Sequence, residues 1–212
     1  MTAAYQPPLR WSRELRMLRL HAASRRIPVA LAMIAAIGIG LRLTLIGHWD
    51  AYGALQLPLI FEAACAAIIA VATGSPLGEP ERVAGRWLPA LRLITTLTLT
   101  ATAAAVLIAA GLGATLTGGA SDGLRNLAGL TGLGLLCAFA LGGGLAWMAP
   151  LAYLFAGVYA LYTQWHGPAL TTPWLWPARP PGNLGAAACA ASAFAIGLTL
   201  CTIRGARDRR EE

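Results

Sequence analysis

Lysine is missing altogether. All sixteen positive residues of the 212-residue chain are arginine, so a phosphate loop of the G-x-x-x-x-G-K-[ST] kind is excluded, because that loop needs a lysine ammonium on the bound phosphates. Charge of either sign is scarce. Only 12% of residues are charged, where a soluble domain carries about a quarter. There is no G-x-S-x-G, no H-E-x-x-H and no pair of carboxylates at catalytic spacing. His21, His48 and His166 fall in three separate segments and build no catalytic cluster, so the chain reads as non-enzymatic and without a cofactor of its own. Cys65, Cys137, Cys189 and Cys201 all lie inside apolar runs with no CxxC spacing. A metal or disulfide framework needs paired spacings, so they read as small buried thiols.

What fills the chain instead is apolar. Hydrophobic residues make up 57% of it and the mean hydropathy is +0.62, with the excess carried by alanine and 24 glycines rather than by aromatic bulk. Small residues let helix backbones approach each other in lipid. The composition therefore predicts an all-α integral membrane protein. A helix needs about 20 mostly apolar residues to cross the hydrocarbon core. Six candidates meet that length or approach it: Ile27–Ile46, Tyr52–Thr73, Leu88–Leu112, Leu127–Leu141, Leu145–Trp165 and Leu184–Ile203. Only Gly142, Gly143 and Gly144 separate the fourth from the fifth, which leaves open a hairpin or one long broken helix. The first span does not read as a cleavable signal, since its leader is long, its apolar run exceeds the usual length and further spans follow.

The arginines give the direction. With a cytoplasmic N-terminus, twelve of them (Arg10, Arg13, Arg16, Arg19, Arg25, Arg26, Arg82, Arg86, Arg204, Arg207, Arg209 and Arg210) flank the spans inside, against Arg125 and Arg179 outside. By the positive-inside rule both termini are cytoplasmic, and the expected location is a bacterial plasma membrane. That distribution also explains the net charge of +7 without a nucleic-acid partner. The chain then divides into a cytoplasmic segment 1–26, a six-span domain 27–204 with an inner loop 74–87 and an outer loop 164–183, and a charged tail 205–212. Within Pro8–Arg26, Trp11, Leu15, Leu18 and Ala22 recur on one helical face while Arg10, Arg13, Arg16 and Arg19 occupy the rest. Such a helix lies along the inner leaflet on anionic lipid headgroups. The outer loop carries Trp165, Trp174, Trp176 and five prolines, which fits either a segment dipping into the outer leaflet or a surface loop anchored by its aromatics.

Three ionisable residues fall within the spans. Arg42 stands roughly 6 Å from the outer end of the first, Arg92 about one turn into the third, and Glu62 roughly 16 Å from the inner end of the second, near the midplane. A charge at a helix centre costs about 2.5–3.5 kcal/mol on insertion scales, so Glu62 is the costly one. It can line a translocation path, pair with an arginine, or stay protonated and hydrogen-bonded. Packing signals are Ala187, Ala191 and Ala195 as a small-residue stripe on the sixth span, and Gly129, Gly132 and Gly134 on the fourth. Phe155, Tyr159 and Tyr162 share a face of the fifth span and read as core or lipid-facing.

Two stretches carry a family likeness. "GSPLGEPERVAGRW", Gly74–Trp87, is a short polar knuckle between the second and third spans, and "GLRNLAGLTGLGLL", Gly123–Leu136, opens the fourth. With six spans and both ends inside, the chain resembles the permease subunit of a type 2 ABC exporter, of the short actinobacterial-looking kind. The resemblance implies that Gly74–Trp87 holds a coupling helix that docks on an ATPase, with Glu79, Glu81, Arg82 and Arg86 at the contact. It further implies a dimer with a second permease copy or paralogue, ATP and Mg bound by a separate ATPase chain, and export of an amphipathic peptide, drug or natural product. The local chemistry agrees, since Pro80 suits the first turn of a helix, Glu79 and Glu81 its N-terminus and Arg86 its end. Glu62, Arg42 and Arg92 are the intramembrane charges that could line a substrate path, and two other functions stay open: a self-contained secondary transporter or channel with Glu62 as its proton or ion site, and a membrane accessory or immunity protein that moves nothing.

Overall fold

A computed structural model describes residues 26–46, 51–73, 88–112, 119–163, 173–180 and 182–205, with the side chains of 51–55 left aside. The described residues are helical, with no strand among them. In chain order the helices are α1 (Ile27–Ile46), α2 (Ala51–Thr73), α3 (Leu88–Gly111), α4 (Gly119–Leu141), α5 (Met148–Thr163) and α6 (Leu184–Ile203). Short 3-10 turns stand at Gly143–Leu145 and Trp176–Ala178. Six spans long and apolar enough to cross a bilayer result, the fifth running from Gly143 through its 3-10 turn into α5. Large side chains such as Leu43, Ile46, Phe155 and Leu184 point outward along them and are 65–84% exposed. In water that surface would be an aggregation hazard; against lipid tails it is ordinary.

The chain alternates direction. The end of α1 meets the end of α3, because Arg42 Nη1 donates to the carbonyls of Leu112 (2.5 Å) and Ala110 (3.4 Å). At the opposite end, the start of α3 meets the end of α6, where a Cβ added to Gly205 would fall 2.7 Å from Arg92 Nη1. The termini of the described chain, Arg26 and Gly205, thus share one end with the start of α3, called here the near end; α4 begins at the far end. The inward-facing stripes of α1, α2, α3 and α4 share one core, with Ile34, Ile69, Leu99 and Leu130 among its fully buried side chains.

α4 is the central helix, with 56% of its spanning window buried against 22% for α1 and α6. Glycine is what lets its neighbours close on it. A Cβ on Gly132 would overlap the backbone of Ala193 and Phe194 in α6, and one on Gly197 would come 2.6 Å from the Gly132 oxygen. α4 and α6 therefore touch backbone to backbone, the close approach that small residues permit in membranes. The α6 face that makes this contact is Ala186, Ala190, Gly197 and Cys201. Ala187, Ala191 and Ala195, expected to be the packing stripe, all point outward. In an almost uniformly apolar helix two small-residue rows compete, and only the partner's shape selects one.

Gly142–Gly144 makes a hairpin. A Cβ on Gly134, eight residues before Gly142, would lie 3.1 Å from the ring of Pro150, eight residues after it. A continuous helix would hold those two residues roughly 24 Å apart. Gly142 takes φ 94°, a left-handed conformation that ends α4 and that a side chain would strain. The fourth span also begins eight residues earlier than the sequence expectation of Leu127, at Gly119. Its first two turns, GASDGLRN, are polar, and hydropathy alone assigns them to a loop.

Candidate polar site beneath a re-entrant turn

The segment before α6 does not stay on the surface. Trp176 is 3% exposed and lies over Gly129, where an added Cβ would meet its ring at 2.5 Å. Gly129 is ten residues along α4, or roughly 15 Å from that helix's far end. The indole stacks on Tyr153 of α5, ring centroids 4.4 Å apart, and the Tyr153 hydroxyl donates to the Trp174 carbonyl at 2.6 Å. Pro177 follows it down, within 3.4 Å of a Cβ placed on Gly157. Asn183 then starts α6, its side chain accepting from the Ala186 N–H at 2.9 Å, as an N-cap does. Within the 164–183 loop, residues 173–180 thus fold back against α4 and α5. Residues 164–172 and residue 181 lie outside the described residues.

Beside this turn α2 and α4 bring four polar side chains together. Glu62 stands one turn after Pro58 in α2 and is 5% exposed. Its Oε1 lies 3.2 Å from where a Cβ of Gly123 would be, so α4's second turn passes directly against the carboxyl. The Glu62 and Asn126 side chains are hydrogen-bonded. Neither Glu62 Oε2 nor Asn126 Oδ1 has a partner, so the bond runs from the Asn126 amide N–H to Oε1. Asp122, in the first turn of α4, where a carboxylate is favoured by the helix dipole, pairs with Arg125 at 3.2 Å. Arg125 is itself buried and also reaches the re-entrant segment, where Nη1 approaches the Pro180 carbonyl at 3.4 Å and Nη2 that of Arg179 at 3.5 Å. Both Asp122 and Arg125 are near enough to act electrostatically on Glu62.

The depth of Glu62 differs from the residue count along α2. Its α4 neighbours, Gly123 and Asn126, are four and seven residues into that helix, about 6–10 Å from the far end. Neither Arg42 nor Arg92 is among the groups acting on Glu62. Each sits instead against another helix's end, Arg42 on the open carbonyls of α3 and Arg92 beside Gly205 after α6. Cations are stabilised at helix C-termini, and these positions need no intramembrane carboxylate. Arg125, Asp122 and Asn126 are the site residues that sequence reasoning left outside the spans. The signal that could have found them is the i,i+3 spacing of Asp122 and Arg125, one helical turn apart and immediately before an apolar run.

This arrangement is unusual in what it leaves unsatisfied. Glu62 Oε2, Asn126 Oδ1, Arg125 Nε, Arg179 Nε and Trp176 Nε1 are all buried and without a hydrogen-bond partner. Buried polar atoms are nearly always bonded, and each exception calls for an explanation. The two acceptors belong to the Glu62 carboxyl and the Asn126 amide, which already share one hydrogen bond, and the three donors to Arg125, Arg179 and Trp176. Among the described residues no three His, Cys, Asp or Glu gather as a metal site. Glu79, Glu81, Arg82 and Arg86 lie outside the described residues, as do the interfacial-helix segment 1–25 and the tail from Ala206. Phe155, Tyr159 and Tyr162 are 68–69% exposed on the outer face of α5 and take no part in the core of the chain. No protein-family profile matches the chain, and neither a curated protein nor a solved structure matches it significantly.

Proposed function

We propose that this chain is the membrane-spanning permease subunit of an exporter of the ATP-binding cassette type, energised by a separate ATPase chain. The observation that supports it best is the contact of Arg92 with Gly205. It brings the start of α3, and hence the exit of the charged linker 74–87, to the end where α6 finishes and α1 begins. By the arginine count that end is cytoplasmic, where an ATPase would meet Glu79, Glu81, Arg82 and Arg86. The far end, with its re-entrant Trp176 turn, is then extracellular, and the assembled unit is a dimer of permeases with two ATPases. Amphipathic molecules are the expected cargo.

Reversing all four linker charges together tests this. Juxtaposed like charges cost several kcal/mol at a contact, while the net charge of the loop is unchanged and ten other near-end arginines hold the topology. The expected outcome is normal insertion with an ATPase that no longer co-purifies or no longer couples. Full retention of a coupled ATPase would reduce the linker to a topological anchor.

A second reading rests on a different observation, the buried and unpaired Oε2 of Glu62. A self-contained transporter or channel would use that carboxyl as its ion or proton site. Glu62→Gln separates the two: loss of transport in vesicles that lack nucleotide supports the second, and transport that needs ATP whatever stands at position 62 supports the first.

A further inference from the structure

We propose that Glu62 and Asn126 form a proton-binding site, in which Oε2 of Glu62 carries a proton and donates it to Oδ1 of Asn126. The inference is independent of how transport is energised. It follows from the two unpartnered atoms. The Asn126 N–H already donates to Oε1, and the two acceptors left over belong to the same carboxyl and the same amide. A single proton on Oε2 makes it a donor, and the pair closes into the cyclic acid–amide dimer, with O–H to amide oxygen and amide N–H to acid oxygen. One proton thereby satisfies both buried atoms, where an ionised carboxyl leaves both open in a setting in which an unpaired acceptor costs about 1–3 kcal/mol. A metal ion fits worse. Sodium-sized cations want several oxygen ligands, and the helical carbonyls around Glu62 are committed to their own ladder.

The surrounding charges give the proton a consequence. Facing Glu62 from α4 are Asp122 and Arg125, from its own helix the Cys65 thiol, and from the re-entrant segment Arg179 stands behind Arg125. Tyr153 of α5 lies within the field of Arg125 but is bonded to Trp174. Arg42 of α1 and Arg92 of α3 are held at helix ends elsewhere. Proton release to water leaves a carboxylate next to Arg125, whose guanidinium then has two carboxylates competing for it. Turning toward Glu62 draws it from the Arg179 and Pro180 carbonyls, and the re-entrant turn loses its polar tie to α4. The proton state of Glu62 thus governs how firmly the Trp176 turn is seated.

Infrared spectra of the whole protein in lipid nanodiscs test the site directly. At neutral pH the wild type is expected to show the carbonyl stretch of a strongly hydrogen-bonded carboxylic acid, absent from Glu62→Gln and moved to weaker bonding in Asn126→Leu. Superimposable wild-type and Glu62→Gln spectra in that region would overturn the proposal. Cys189, packed against the cluster of Trp176, Ala186 and Ala190, reads the seating of the turn in a chain whose other three cysteines are alanine. The ratio of its maleimide labelling rate in the Glu62 form to that in Glu62→Gln is expected to rise severalfold from mildly acidic to alkaline pH. The ratio cancels the thiol's own titration, and a ratio that stays flat would overturn the link between the proton and the turn.

Discussion

Arg42 and Arg125 are both arginines within spanning helices, and the protein accommodates them in opposite ways. Arg42 stands one turn from the end of α1 and spends its guanidinium on carbonyls at the end of α3, Ala110 and Leu112, which have no helical N–H to accept from. Arg125 stands six residues into α4 and is 8% exposed. It has a carboxylate one turn away and a loop folded into the bundle to supply two more carbonyls. At the edge of a helical bundle a cation needs only a helix terminus and access to headgroups. Inside, it needs a counter-charge and acceptors brought from elsewhere in the chain, because removing either leaves a buried charge uncompensated.

Substitutions at the two sites should differ accordingly. Arg125→Met leaves Asp122 unpaired and the turn untied, and breaking such a pair costs about 3–5 kcal/mol. A large drop in thermal unfolding midpoint in detergent is expected, with protease cutting near residues 173–180, and a wild-type midpoint would show that the pair adds nothing. Trp176→Ala removes the indole seated over Gly129 and its Tyr153 stack, for about 3 kcal/mol. Because Trp176 and Arg125 hold the same turn, the double variant should cost less than the sum of the singles; strict additivity would mean that the turn is not one unit.

Gly132→Leu tests the apolar counterpart of that cluster. Its side chain has no room against the Ala193–Phe194 backbone, and overpacking of this kind costs about 1–3 kcal/mol, read as a lower midpoint. The contrasting change, Ala191→Leu on the exposed face of α6, should stay within about 0.5 kcal/mol for the single chain. Arg42→Gln belongs at the small end, at about 0.3–1 kcal/mol for a cation at a helix terminus. An effect there as large as that of Arg125→Met would erase the distinction between edge and interior.

Four of the six spans could be bounded from residues alone to within a residue or so, and the fifth to within three. α1 and α6 are legible to the residue, Ile27–Ile46 and Leu184–Ile203, because uninterrupted apolar length is itself the property that lipid selects. The exception is α4, and the exception contains the site. GASDGLRN carries a salt bridge and an amide, so its polarity argues for a loop until a partner exists to bury it. The partner of Glu62 is likewise not written in the sequence, since depth along a helix says nothing about the direction a side chain faces.

What the amino-acid sequence by itself determined is the class of molecule: six spans, their order, and an arginine-poor and an arginine-rich end, all additive properties of local composition. What only the tertiary structure decided is which groups meet. The choice of Ala186 and Ala190 over Ala187 and Ala191, the descent of Trp176 to Gly129, and the encounter of Glu62 with Asn126 each depend on two helices arriving at one place with matching shapes. Apolar helices that are greasy on every side give no periodic signal of a preferred face. In lipid the face is selected by close packing and by the need to satisfy a few polar atoms, and both are properties of pairs of segments rather than of either segment alone.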